Sequence, residues 1–169
     1  MILAVDVQYE DGGGATVAGV LFEDWSDPEP ARAVLTHVSE VQDYEPGQFY
    51  KRELPCILQL LDAIHESVDL IVVDGYVTLG ADDRPGLGMH LYNALQQRIP
   101  IIGVAKKAFL DTPPDREILR GDSLKPLYVS GVGVPLTQAR DWILAMHGKH
   151  RIPTLLKRVD QLCRGSWRP

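Results

Sequence analysis

Four carboxylates and one lysine stand where they could act on a phosphate. Asp74 ends the apolar run Leu70-Ile71-Val72-Val73 and is followed by Gly75. Asp6 interrupts the run Ile2-Leu3-Ala4-Val5, and Glu53 precedes an apolar pattern of helical spacing. Asp160 shares a helical stripe with Leu156, Val159 and Cys163. Each alone has a plainer reading: an Asp-Gly pair, for one, often only starts a turn. Together they suggest an acidic cluster for a hard divalent cation, Mg²⁺ or Mn²⁺, because such ions prefer carboxylate oxygens and keep several waters. A cation so held activates water and stabilises the charge of a phosphoryl transition state. Lys106 ends the run Ile101-Ile102-Gly103-Val104-Ala105. Its ammonium near the same mouth would neutralise a phosphate or polarise the attacking water.

The elements that must position these groups follow from local pattern. Residues 2–9 read as a strand, Asp11 to Gly14 as a turn whose glycines are free to take φ > 0, and Ala15 to Phe22 as a second strand. So short a turn makes the two strands antiparallel neighbours. Trp25 to Arg32 is a proline-containing loop and Ala33 to Val41 a third strand, so the chain opens with a β-meander. After the turn Tyr44-Glu45-Pro46-Gly47, Leu54, Ile57, Leu58, Leu61 and Ile64 recur at helical spacing. Pro55 belongs in a first turn or at a kink, which puts Glu53 at or just before the first full turn. The strand ending at Asp74 is buried on both faces. A loop over 77–84, a helix over 86–97, a buried strand over 99–105 and a polar loop or lid over 110–125 follow. A late strand spans 127–134, a helix spans 137–148 with Thr137 as its N-cap, and a last helix begins near Pro153. Sites in open α/β sheets lie at the carboxyl ends of strands, where Asp74 is. A carboxylate on a core-facing stripe, as Asp160 is, costs free energy unless it is paired or binds metal.

A chain of 169 residues suffices for one domain with a sizeable core, and a single domain over 1–169 is expected. The net charge of −6 argues against non-specific coating of nucleic acid, but a carboxylate cluster itself adds negative charge. Basic residues crowd the C-terminal end: Lys149, Arg151, Lys157, Arg158, Arg164 and Arg168. No apolar run approaches the ~18–20 residues that span a bilayer. The N-terminus has no basic region and meets Asp6 at once, so a cytoplasmic monomer with no membrane partner is expected. Cys56 and Cys163 have neither metal nor redox spacing and read as buried thiols.

Ala4-Val5-Asp6-Val7, Tyr44-Glu45-Pro46-Gly47 with Arg52-Glu53 beyond it, Val73-Asp74-Gly75, Gly86-Leu87-Gly88-Met89-His90-Leu91, Ile102-Gly103-Val104-Ala105-Lys106 and Arg151-Ile152-Pro153 form a series. In this series the chain resembles endonuclease V over nearly its whole length. The resemblance implies an α/β ribonuclease H-like fold, a central mixed sheet opening with the meander and flanked by helices. It implies an Mg²⁺-dependent nuclease that cuts the second phosphodiester bond 3′ to inosine, leaving 3′-hydroxyl and 5′-phosphate ends. Asp6, Glu53, Asp74 and Asp160 would hold metal, with Lys106 assisting catalysis. Tyr44, in a wedge with Pro46 and Gly47, would insert at the lesion, while Tyr76 and His90 would bind substrate. His90 reads equally as a local hydrogen bonder at a helix start. The partner would be DNA or RNA with a modified or mismatched base, flipped into a pocket.

The departures from the family pattern fall mostly on recognition. Asp43 and Glu45 flank Tyr44, and Tyr76-Val77 stands where His-Gly is usual. Ser130 to Val134 lacks a Gly-His-Arg, and Thr154-Leu155-Leu156-Lys157 replaces Glu-Pro-Thr-Arg after Pro153. Two competing readings stand beside the nuclease. One is a protein of the same fold that binds nucleic-acid structure without cutting. The other is a phosphorelay-like domain using Asp6, Asp74 and Lys106, against which the glycine-rich hairpin argues, since such folds run from strand to helix there.

Overall fold

Alternation along the first strands decides the architecture. In β1 (Ile2–Tyr9), Ile2 and Ala4 join one apolar cluster while Leu3 and Val5 join another. The sheet therefore carries a core on each face. The computed structural model describes every residue except Tyr44, Gly47 and Phe49. β1 turns at Glu10–Gly14, where Gly13 takes φ 96° and the Glu10 N–H donates to the Gly14 carbonyl at 2.8 Å. It then pairs antiparallel with β2 (Ala15–Phe22), which pairs antiparallel with β3 (Arg32–Val38). The meander is as expected, though β3 stops at Val38 rather than Val41. The antiparallel hairpin leaves the phosphorelay reading without its strand-to-helix topology.

β4 (Leu70–Asp74) runs parallel to β1, and β7 (Ile101–Ala105) parallel to β4. β9 (Leu127–Val132) returns antiparallel to β7, and β8 (Glu117–Ile118) adds an outer strand, giving the order β3-β2-β1-β4-β7-β9-β8. β8 lies within the stretch 110–125 expected to be a loop or lid. Likewise the 77–84 loop holds a small ladder between β5 (Thr78–Leu79) and β6 (Arg84–Pro85). Helices α1 (Tyr50–Asp62) and α2 (Leu87–Ala94) cover one face through Ile57, Leu60, Leu87 and Leu91. Helices α3 (Leu136–Ala145) and α4 (Thr154–Arg164) cover the other through Ala139, Ile143, Leu155, Val159 and Leu162. No helix among the described residues is long and apolar enough to cross a membrane. Cys56 and Cys163 are both buried and free, as expected.

Two helix starts differ from the sequence expectation. α1 begins at Tyr50, so Pro55 lies in the second turn and Glu53 inside the first. The missing proline N–H leaves only one carbonyl without an intrahelical donor, which the helix tolerates. α3 begins at Leu136 with Pro135 at the N-cap and no side-chain cap, so Thr137 is already helical. The fixed φ of proline suits the position without a capping oxygen.

Gly103 marks the tightest point of the central sheet. A Cβ there would stand 2.6 Å from the Gly75 carbonyl oxygen, 2.9 Å from the Val77 nitrogen and 2.9 Å from Ser130 Oγ. The absent side chain lets the chain leaving Asp74 fold across β7, where the Val77 N–H donates to Ser130 Oγ at 2.9 Å. Gly103→Ala should destabilise the fold by about 1–3 kcal/mol through overpacking against backbone. That corresponds to a thermal midpoint lower by roughly 3–10 °C, measurable by calorimetry. An unchanged midpoint would mean that the crossing is loose.

Candidate active site

Period two puts three chemical groups in line. Ile2 and Ala4 on β1, Leu70 and Val72 on β4, and Ile102 and Val104 on β7 all face the α4 side. Continuing each alternation places Asp6, Asp74 and Lys106 on that side at the carboxyl ends of three adjacent strands. The β1–β4 ladder runs from Ile2↔Leu70 to Val5↔Val73 and ends one residue short of the two aspartates. The parting strands open a crevice of about 30 Å³, lined by Asp6, Asp74 and Lys106 and walled by Ile152, Leu156 and Val159. That is room for a water-sized occupant.

α4 supplies the other side. Carboxylate oxygens of Asp6 and Asp160 and the Cys163 Sγ lie within 4.8 Å of one another. Asp160 is also bonded by Arg164 Nε at 2.8 Å, one turn further along the helix. Lys106 Nζ stands 3.9 Å from Asp74. Glu53 arrives from the opposite face of the sheet, on α1, and lines a separate pocket that it shares with Asp74. The structure thus brings the four predicted carboxylates and Lys106 around one strand end. The tight trio among the described residues contains Asp6 and Asp160 but not Asp74 or Glu53.

Crowded carboxylates with little compensating charge hold protons. Desolvation, reinforced by Asp74 and Asp160, pushes Asp6 up to about 7, against a Val7 N–H bond and Lys106 that pull it down. Desolvation and the charges of Asp74 and Asp6 push Glu53 up to about 8. Asp74 keeps 45% of its side-chain surface exposed, yet crevice walls crowd it closely enough that desolvation still raises it, with Lys106 opposing. Desolvation also pushes up on Asp160, but Arg164, Lys106 and a hydrogen bond from Asp6 outweigh it and hold Asp160 low. Burial and the neighbouring aspartates push the Cys163 thiol up to about 12, so it stays protonated. Oxygen donors that must otherwise be neutralised by protons suit a hard divalent cation, and Asp6, Asp74, Asp160 and Glu53 are the residues able to hold one.

Beside the crevice lies a pocket of about 270 Å³, lined by Tyr50, Glu53, Asp74, Tyr76, Leu87 and Phe109 among others. The Tyr76 hydroxyl donates to the Lys107 carbonyl and accepts from the Phe109 N–H at 3.1 Å, while its ring meets Phe109 edge-on. Tyr76 therefore fixes the pocket wall as well as lining it. His90 stacks on Tyr50 with ring centroids 3.6 Å apart, behind the lining rather than in it. Pro46 is exposed in a turn, and Tyr44 and Gly47 lie outside the described residues.

Several participants were not singled out from the sequence. Cys163 read as a plain buried thiol, although its i,i+3 relation to Asp160 was a usable signal. Arg164, one helical turn beyond Asp160, carried the same kind of signal. Phe109 did not, because only the fold of the 107–112 segment brings it to Tyr76.

Comparison with known proteins bears on the family and the fold. Residues 1–122 match the family described as endonuclease V. Endonuclease V of Nocardia farcinica is 31% identical, the alignment covering 99% of this chain and 81% of that one. The crystal structure of endonuclease V from Streptomyces avermitilis superposes with a TM-score of 0.72 at 32% identity, over 98% of this chain and 80% of that one. A Ciona intestinalis endonuclease V, solved with a 24mer DNA containing an inosine followed by a ribo-adenosine, shares the fold at a TM-score of 0.76 and 20% identity, over 97% of this chain and 84% of that one. The mixed sheet flanked by helices is the ribonuclease H-like fold of these enzymes. The chain belongs to the endonuclease V family.

Proposed function

We propose that the protein is a metal-dependent endonuclease that hydrolyses a phosphodiester bond 3′ to a deaminated base, inosine, in DNA or RNA. The observation that carries this is the adjacency of the carboxylate crevice to an aromatic-lined pocket of about 270 Å³, the two sharing Asp74. The Ciona relative bound to inosine-containing DNA supports the same substrate class.

In this reading Asp6, Glu53, Asp74 and Asp160 would hold Mg²⁺ or Mn²⁺, which would supply Lewis acidity at the phosphate. Lys106, beside Asp74, places a positive charge where the phosphate's negative charge grows. The flipped base enters the pocket lined by Tyr50, Tyr76 and Phe109, whose rings give it aromatic contact. The Tyr76 hydroxyl, tied to residues 107 and 109, keeps that slot open at fixed width. Tyr44, with Pro46 and Gly47, fills the gap left in the stack, and His90 steadies Tyr50 from behind.

A strand carrying a single inosine should be nicked in Mg²⁺ or Mn²⁺ and left intact in EDTA. Asp74→Asn should lower the rate at saturating substrate by roughly 10²–10³-fold. Retained cleavage in that variant would refute the site assignment. Wild-type binding with no cleavage on inosine, uracil, abasic or flapped strands in either metal would instead favour a protein that only binds.

The raised carboxyls also set a pH dependence. In the metal-free protein Asp6 and Glu53 keep protons up to about 7 and about 8, whereas an unfolded chain releases them near ~4. The native state then binds more protons than the unfolded one between these values. Its stability is full at the acid end and falls as pH rises through the folded pKa values. Thermal midpoints in EDTA should therefore decline from about pH 5 to about pH 8, and Asp6→Asn should flatten that decline. Added Mg²⁺ or Mn²⁺ should restore stability most at the alkaline end, where no proton competes. A midpoint rising with pH in EDTA would contradict the crowding.

A further inference from the structure

The carboxylate crevice opens on a second side, away from the aromatic pocket. A groove of about 400 Å³ leads from Lys106 and Asp160 past His150, Arg151 and Lys157. It adjoins a hollow of about 240 Å³ lined by His150, Lys157 and Arg158. In a chain of net charge −6 this is a local concentration of cations. Lys149, His150 and Lys157 are exposed to solvent.

The groove is a built feature. Arg120 is buried at 5% exposure, and its guanidinium donates to the carbonyls of Met146, Gly148, His150 and Arg151. These bonds gather the α3–α4 loop around one cation and leave its side chains pointing outward. Arg151 donates to the carbonyls of Lys106 and Pro126, tying the same loop to the end of β7. α4 starts directly after this loop with Pro153 at its N-cap and no side-chain cap. The Thr154 N–H is taken by the His147 carbonyl at 2.8 Å, and the positive dipole end of the helix adds to the attraction for an anion. Two arginines thus hold this loop against the start of α4, where Lys157 and Arg158 present charge beside the carboxylate crevice.

We propose that this groove is the track for the phosphodiester backbone of a single nucleic-acid strand as it leaves the carboxylate crevice. It rests on the nuclease reading above only for the identity of the strand. The sheet would then divide the work, with the base held on the aromatic side and the continuing backbone on the α4 side.

The test reads binding without cleavage. A fluorescein-labelled single strand carrying one inosine is titrated with protein in EDTA at several KCl concentrations, followed by anisotropy. Each lost phosphate contact lowers the slope of log K against log salt by about 0.7 on a single strand. Lys157→Ala with Arg158→Ala, the two cations at the junction of groove and hollow, should therefore flatten the slope by roughly 1.4 and weaken binding about tenfold at low salt. Arg32→Ala with Arg98→Ala removes the same charge at the other end of the sheet, where Arg32 opens β3 and Arg98 precedes β7, and should leave the slope unchanged. Equal thermal midpoints for the double variants would show that both are folded. The proposal is overturned if both pairs change binding alike, if neither does, or if the wild type shows no salt-dependent binding. Binding through the groove by a protein that never cuts would sink the nuclease reading and leave the track standing. Cutting with an unaltered slope in Lys157→Ala/Arg158→Ala would do the reverse.

Discussion

Electrostatic repulsion at the ends of two parallel strands is the constraint on which this structure turns. β1 and β4 pair regularly through Val5↔Val73 and stop before Asp6 meets Asp74. Two carboxylates side by side in a half-buried ladder repel, and each loses hydration as the other approaches. The strands separate there, and the gap becomes the crevice. Asp6 turns one oxygen to its own neighbour, accepting from the Val7 N–H at 2.9 Å. Lys106 from the next strand and Arg164 from α4 then supply partial compensation.

Much of this was legible in the chain because it is a matter of local period. Apolar residues alternating with a terminal carboxylate or ammonium locate Asp74 and Lys106 at strand ends, and one alternation count puts Asp6 beside them. The stripe of Leu156, Val159 and Cys163 placed Asp160 toward the sheet. What escaped depends on contacts distant in sequence. Arg120 reads as an ordinary charge in a polar loop, and only the fold buries it against carbonyls some 26 to 31 residues away. For Glu53 the local pattern does not give the direction of approach: its helix covers the opposite face, so it meets Asp74 from that side of the sheet. The helix start at Leu136 differs from the expected Thr137 because proline, not a hydroxyl, occupies the N-cap.

The departures from the family pattern acquire a physical meaning in this setting. Tyr76 stands where His is usual, and its ring and hydroxyl brace the segment from Lys107 to Phe109. The pocket keeps an aromatic character with a polar group turned into its own wall. Thr154 replaces an acidic residue at the start of α4 and bonds His147 Nδ1 at 2.9 Å, joining the helix to the loop that Arg120 gathers. Altered positions have thus become structural ties rather than free polar groups.

The two apolar cores meet the carboxylates from opposite sides. The cluster under α3 and α4 includes the strand residues that precede Asp6 and Asp74, and α4 itself brings Asp160. The cluster under α1 and α2 includes Ile57 and Leu60, on the helix that brings Glu53. The sheet otherwise keeps these layers apart. A cation gripped from both would act as a cross-link closing a loop of more than a hundred residues between Glu53 and Asp160, restricting the unfolded chain much as a covalent staple does. The chemistry at the strand ends would then also be the clasp that makes two hydrophobic layers unfold as one.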